Sequence, residues 1–206
     1  SALTADDIRQ LLTSPHFVRL QSLSLQSTKL TDKNLKLLIA GRRFDNLIEL
    51  DLANNLLEQQ GAATIARFSE MPSLRSIDLS NNALRAWGLD ALSHSTRFNS
   101  LTTLKLENIG LGGSGRIDTN RVIYSLGALR LLHVFLGKND LREQHLHTIF
   151  SWPNIAYLHT LDLSNNPIGW RDSFAYSPVS YLQATLLHSL NLSGTGIDAD
   201  FFMRLL

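Results

Sequence analysis

"LIELDLANNLL", residues 47–57, decides the fold. Leu50 and Leu52 alternate with polar neighbours, which is the two-residue period of a strand, and Asn54-Asn55 then break it. Twenty-seven residues later "LRSIDLSNNAL" (74–84) repeats the phrase position for position. Outward from this pair, the form LxxLxLxx(N)x(L/I) recurs as LQSLSLQSTKL from Leu20, LTTLKLENIGL from Leu101 and LLHVFLGKNDL from Leu131. It recurs again as LHTLDLSNNPI from Leu158 and LHSLNLSGTGI from Leu187. The starts at 20, 47, 74, 101, 131, 158 and 187 are 27, 27, 27, 30, 27 and 29 residues apart. Seven matches in one register predict a stack of coils, each closed by its neighbours.

Each coil leaves its strand at the Asn slot. A buried amide offers two donors and an acceptor to backbone groups that the turn strips of partners. Asn55, Asn82, Asn139 and Asn166 are expected to stack as a ladder, with Thr28 and Thr195 doing part of the task through a hydroxyl. The return limb reads as helix. An apolar residue sits eight positions past the last Leu of the phrase (Leu38, Ile65, Leu92, Ile149) and another fourteen past it (Phe44, Met71, Phe98, Ile155). The same rule applied to Leu3, Leu11 and Phe17 makes residues 1–19 a helical half-repeat. The last repeat is incomplete, and a start at Ser1-Ala2-Leu3 without Met reads as an excised fragment.

These phrases resemble the leucine-rich repeat family over essentially the whole chain. The 27- to 30-residue spacing with helical return limbs is similar to its ribonuclease-inhibitor-like class, and "LLTSPHF" (11–17) and "LDLSNN" (161–166) resemble bacterial multi-repeat proteins of that class. The resemblance implies one domain over 1–206: an α/β right-handed horseshoe with a parallel sheet on the concave face and helices on the convex face. It also implies a non-enzymatic module that holds a protein partner in the concavity. A regulatory or targeting region of a larger enzyme (a ligase, kinase or GTPase regulator) is the alternative, with the chemistry outside these residues.

Composition narrows the choice. Nineteen basic against eighteen acidic residues leave a formal charge of +1, so no global field draws the chain to nucleic acid or to a membrane, and neither is expected as a partner. No apolar run approaches the roughly 20 residues of a membrane helix. The absence of cysteine excludes thiolate chemistry and points to a cytoplasmic or other reducing setting. His145 and His147 lie about 200° apart on a helix and suit no shared metal. His159 and His188 take the same repeat position and are expected to stack near Asp162. No catalytic residue, cofactor or metal site is predicted.

Function then rests with positions the scaffold leaves exposed. The third position of each phrase reads Ser22, Glu49, Ser76, Thr103, His133, Thr160, Ser189, and the fifth reads Ser24, Asp51, Asp78, Lys105, Phe135, Asp162, Asn191. Phe135 stands out as an apolar side chain in a polar row, and aromatics are enriched at binding hot spots. The predicted partner-binding set is Phe135 with Lys105, Glu107, His133 and Lys138 around it, and Glu49, Asp51, Asp78 and Asp162 as an acidic stripe.

Two stretches depart from the repeat. In "LKLENIGLGGSGRIDTNRV" (104–122) the ladder slot holds Ile109, and a glycine-rich insertion follows with no phosphate-loop pattern. The expectation is an irregular coil with a surface loop at 112–115, its orphaned backbone groups costing about 1–3 kcal/mol. The second, after Trp170, gathers Phe174, Tyr176, Pro178 and Tyr181 on one limb. Phe201, Phe202, Leu205 and Leu206 give the last coil an apolar end, so weak end-to-end self-association is expected.

Overall fold

The computed structural model describes residues 2–41, 44–68, 71–112, 117–169 and 186–198. Arg42, Arg43, Gly113, Gly115, the 170–181 aromatic limb and the apolar residues 201–206 lie outside them. Seven strands occupy the third to fifth positions of the seven phrases: β1 (Ser22–Ser24), β2 (Glu49–Asp51), β3 (Ser76–Asp78), β4 (Thr103–Lys105), β5 (His133–Phe135), β6 (Thr160–Asp162) and β7 (Ser189–Asn191). They form one parallel sheet in chain order, in register from Leu23 beside Leu50 to Leu161 beside Leu190. Parallel neighbours need a crossover connection. Five of the return limbs supply one as a helix: α2 (Asp32–Gly41), α3 (Gln59–Phe68), α4 (Arg85–Ser93), α5 (Thr119–Leu126) and α6 (Glu143–Phe150), with α1 (Ala5–Thr13) ahead of β1. Consecutive helices pack side by side on the convex face.

The core lies between the two layers. Leu52, Leu57, Ile77, Leu79, Leu106, Val134 and Leu163 are fully buried, each contributing on the order of 1.5–3 kcal/mol of apolar burial. The helical residues Leu38, Ile65, Leu92 and Ile149 close it from the convex side, and Phe44, Met71 and Phe98 seal its edge. Ile155 is only half-buried, in a 3-10 turn that runs from Ile155 to Tyr157. Leu11 departs further at 37 % exposed: among the described residues α1 packs against α2 on one side and otherwise against the short 3-10 turn Phe17–Arg19. Thr4 and Asp7 make reciprocal caps at the start of α1, which hold the Asp7 carboxyl below its usual range. Trp152, after α6, lays its ring on Gly127 and donates from Nε1 to the Ile123 carbonyl at 2.8 Å.

The residue before each ladder slot turns left-handed. Ser27, Asn54, Asn81, Asn108, Lys138, Asn165 and Gly194 all have φ between 53° and 67°. Asn and Gly tolerate this region best, which accounts for the first Asn of each Asn-Asn pair. The ladder residue itself faces the core. Asn55 Nδ2 donates to the Leu52 carbonyl of its own coil (2.9 Å) and the Leu25 carbonyl of the coil before (2.8 Å). Its Oδ1 accepts from Leu30 N–H (2.8 Å) and Thr28 N–H (3.1 Å), again in the coil before. Asn82, Asn139 and Asn166 repeat the backward reach to Leu52, Leu106 and Leu136. The Thr28 hydroxyl donates to the Leu25 carbonyl of its own coil at 2.8 Å and lies 3.3 Å from Asn55 Oδ1 of the next, and the Thr195 hydroxyl donates to the Leu192 carbonyl of its own coil at 2.6 Å.

The coil around Ile109 is more regular than its sequence suggests. Ile109 is fully buried, its N–H donates to Asn139 Oδ1 at 2.9 Å, and its carbonyl accepts from Arg85 N–H at 2.8 Å. Strand β4 keeps register on both sides. The next coil's amide therefore satisfies the Ile109 backbone. What Ile109 cannot supply is an acceptor for Leu84 N–H, the group equivalent to the Leu57 N–H that Asn82 holds at 3.0 Å.

At the start of α6, His145 is 6 % exposed and its Nδ1 accepts from Arg142 N–H at 2.8 Å. Burial, then the Arg142 charge, pushes the imidazole below its usual range. The unfolded chain therefore binds the proton first, and stability falls as pH drops from about 6.5 toward the folded-state value. Thermal melts at pH 7.5 and 5 should show this decline. His145→Gln, which retains an acceptor at the capping position, should flatten it; an equal decline in both proteins would rule His145 out as its source.

Candidate functional site

The outward rows of the sheet are where the scaffold has side chains to spare, yet most of the fifth-position row has a local duty. Asp51 Oδ1 accepts from Ala53 N–H (2.9 Å), Asp78 Oδ1 from Ser80 N–H (2.9 Å) and Asp162 Oδ1 from Ser164 N–H (2.8 Å). Asn191 holds Ser193 N–H at 3.1 Å, and Ser24 reaches Gln26 N–H at 3.5 Å. A short oxygen-bearing side chain thus starts each turn two residues ahead. Lys105 and Phe135 have no acceptor and cannot do this. Instead Ser80 Oγ takes Glu107 N–H at 3.2 Å.

Lys105 and Phe135 sit opposite each other on β4 and β5. The Lys105 ammonium lies 5.8 Å from the centre of the Phe135 ring, within cation–π reach, and 3.6 Å from Asp78 Oδ2. Phe135 is half-buried. Beyond the ends of the strands Lys138 pairs with Glu107 at 2.8 Å, and that carboxylate raises the Lys138 ammonium above its usual range. His133 Nδ1 lies 3.0 Å from Thr160 Oγ1. Its ring begins an edge-to-face row, 6.0 Å to His159 and 5.1 Å from there to His188.

The structure thus gathers Asp78, Lys105, Phe135, His133, Glu107 and Lys138 at the middle of the sheet and leaves the other acids apart. Glu49 and Asp51, on β2, are held by the hydroxyls of Ser22 (3.3 Å) and Ser24 (3.0 Å) and form no ion pair among the described residues. Asp162 is engaged by Asn191 Nδ2 at 2.8 Å. The expected acidic stripe is therefore interrupted by Lys105. Sequence reasoning overlooked the turn-starting duty of Asp51, Asp78 and Asp162, which the recurring Asp two residues before each turn could have revealed. Among the described residues no group of three or more His, Cys, Asp or Glu side chains could hold a metal ion, and no helix is long and apolar enough to cross a membrane.

Two family models for leucine-rich repeats match the chain, one over residues 70–93 and one over residues 157–177. No curated protein matches it. Among solved structures, the tropomodulin C-terminal domain of Caenorhabditis elegans is similar at 19 % identity and a TM-score of 0.52, over 70 % of this chain and 88 % of that one. InlP of Listeria monocytogenes is similar at 18 % identity and a TM-score of 0.52, over 92 % of this chain and 50 % of that one. TLR13, solved as a complex with ssRNA13, is similar at 19 % identity and a TM-score of 0.54, over 94 % of this chain and 27 % of that one. At such identities the likeness is one of fold. With its seven strand phrases on one parallel sheet and repeat models matching two of its coils, the chain has the leucine-rich repeat fold.

Proposed function

We propose that this chain is a protein-binding module whose concave face holds its partner at the centre of the sheet, over Phe135 and Lys105. Leucine-rich repeats generally mediate protein–protein interaction, which makes a protein partner the natural occupant. One observation carries the placement: in a row whose other members start the next turn, Lys105 and Phe135 give up that contribution. A half-buried aromatic ringed by charged side chains has the composition of an interface anchor. The surrounding ion pairs contribute orientation more than affinity, being exposed and screened by salt. The even spacing and helical return limbs support the ribonuclease-inhibitor-like class.

The test is capture from nuclease-treated source lysate with three immobilised proteins: native, Phe135→Ala with Lys105→Glu, and Trp87→Ala. Trp87 is an exposed residue of α4 on the convex face. A protein retained by the native and Trp87→Ala forms, and at least about tenfold depleted on the double variant, is the expected result. Equal retention by all three would remove the concave centre as the site, and capture seen from untreated lysate but lost from nuclease-treated lysate would make the partner a nucleic acid.

A further inference from the structure

The charges on the concave face are unevenly spent. At the centre they are neutralised in place, Lys105 by Asp78 and Lys138 by Glu107. On β2 they are not: among the described residues Glu49 and Asp51 are two carboxylates that meet serine hydroxyls and a backbone N–H. Arg75, just before β3, pairs with neither among the described residues, and Glu49 is exposed. An occupant of the concavity therefore meets an unpaired negative strand at β2 and an apolar ring at β5. A basic group is drawn to the first and finds no unpaired carboxylate at the second, where Asp78 and Glu107 are already engaged by Lys105 and Lys138.

The two features are three strand steps apart in a sheet ordered β2, β3, β4, β5. With strands about 4.8 Å apart, the separation is roughly 14 Å, which an extended chain at about 3.3 Å per residue covers in about four residues. We propose that the concave face docks an extended partner segment lying across the strands, with a basic side chain over Glu49 and Asp51 and an aromatic or branched apolar side chain about four residues away over Phe135. This rests on the concave-face reading above and adds the chemistry, spacing and direction of the occupant.

The probes are synthetic peptides with a Lys-Lys pair joined to Phe through glycine-serine spacers that set the Lys-to-Phe separation at two, four or eight residues. Binding to the full chain is followed by NMR titration at low ionic strength. The expected optimum is at four residues, with affinity at least about fivefold above the two-residue peptide. Glu49→Lys should abolish that advantage, and an Asp-Asp version of the four-residue peptide should regain it on Glu49→Lys. Phe135→Ala should weaken the four-residue peptide by a similar factor. Affinity indifferent to separation, tighter binding of the Asp-Asp peptide to the native chain, or binding unchanged in Glu49→Lys would each overturn the proposal. If that happens while Phe135-dependent capture from lysate persists, only this inference falls; if both are lost, the concave-face reading falls with it.

Discussion

Asn55→Ala is expected to destabilise the protein by about 3 kcal/mol or more, since groups left unsatisfied in the interior cost about 1–3 kcal/mol each. The truncation strips Leu30 N–H and Thr28 N–H of their shared acceptor, and takes one of two donors from the Leu25 and Leu52 carbonyls, which keep Thr28 Oγ1 and Asn82 Nδ2. Asn54→Ala, one residue away, is the control. Asn54 is exposed with φ 55°, so its replacement forfeits only the tolerance of Asn for that backbone region, about 1 kcal/mol. Urea unfolding of the two variants beside the parent measures both effects. Similar losses at 54 and 55 would mean that the amide ladder contributes little beyond turn geometry.

The second large effect is on the convex side. Trp152→Ala should cost about 3–5 kcal/mol, the usual range for deleting a buried large aromatic. Its ring fills the space that Gly127 leaves, so tightly that a Cβ at 127 would lie 2.3 Å from Trp152 Cγ. The cavity cannot close easily, because the 3-10 turn on one side and α5 on the other are fixed by their own coils. Trp152→Phe keeps much of the volume but leaves the Ile123 carbonyl without the indole donor, and should lose less. Calorimetric melts of the parent and both variants test the order; a smaller loss for Ala than for Phe would contradict this account.

Strand positions and the buried helix face were legible because both obey a period that one coil already displays. Leu50 and Leu52 announce the strand, and Leu38, Ile65 and Leu92 announce the helix facing it. The ladder slot was legible as a position, though not the backward direction of its bonds. That direction depends on how one coil sits over the next, which no single phrase records. The same limit applied to the fifth-position aspartates. Their spacing to the turn was visible, but their exposed position suggested a partner before it suggested Ala53, Ser80 or Ser164 N–H. Phe135 stood out because an apolar residue broke a polar row. The contacts of Lys105 with Phe135 and Asp78 are rotamer choices across strands, invisible until the strands are paired.

The backward reach of the ladder divides the molecule in a way its even outline hides. Each interior amide fastens its coil to the one before: the second to the first, the third to the second, the fifth to the fourth and the sixth to the fifth. Ile109 leaves the fourth coil without such a fastening to the third. There the side-chain links include Asn108 to Asn81 and Lys105 to Asp78, where water competes, and a part-buried bond from Glu107 N–H to Ser80 Oγ. The first six coils are thus two blocks of three meeting at a softer seam, with β1–β3 on one side and β4–β6 on the other. Local opening should begin at that seam, so Leu84 N–H should exchange with solvent sooner than Leu57 N–H one coil earlier. Because Glu49 and Phe135 belong to different blocks, a segment bridging them would also clamp the seam shut.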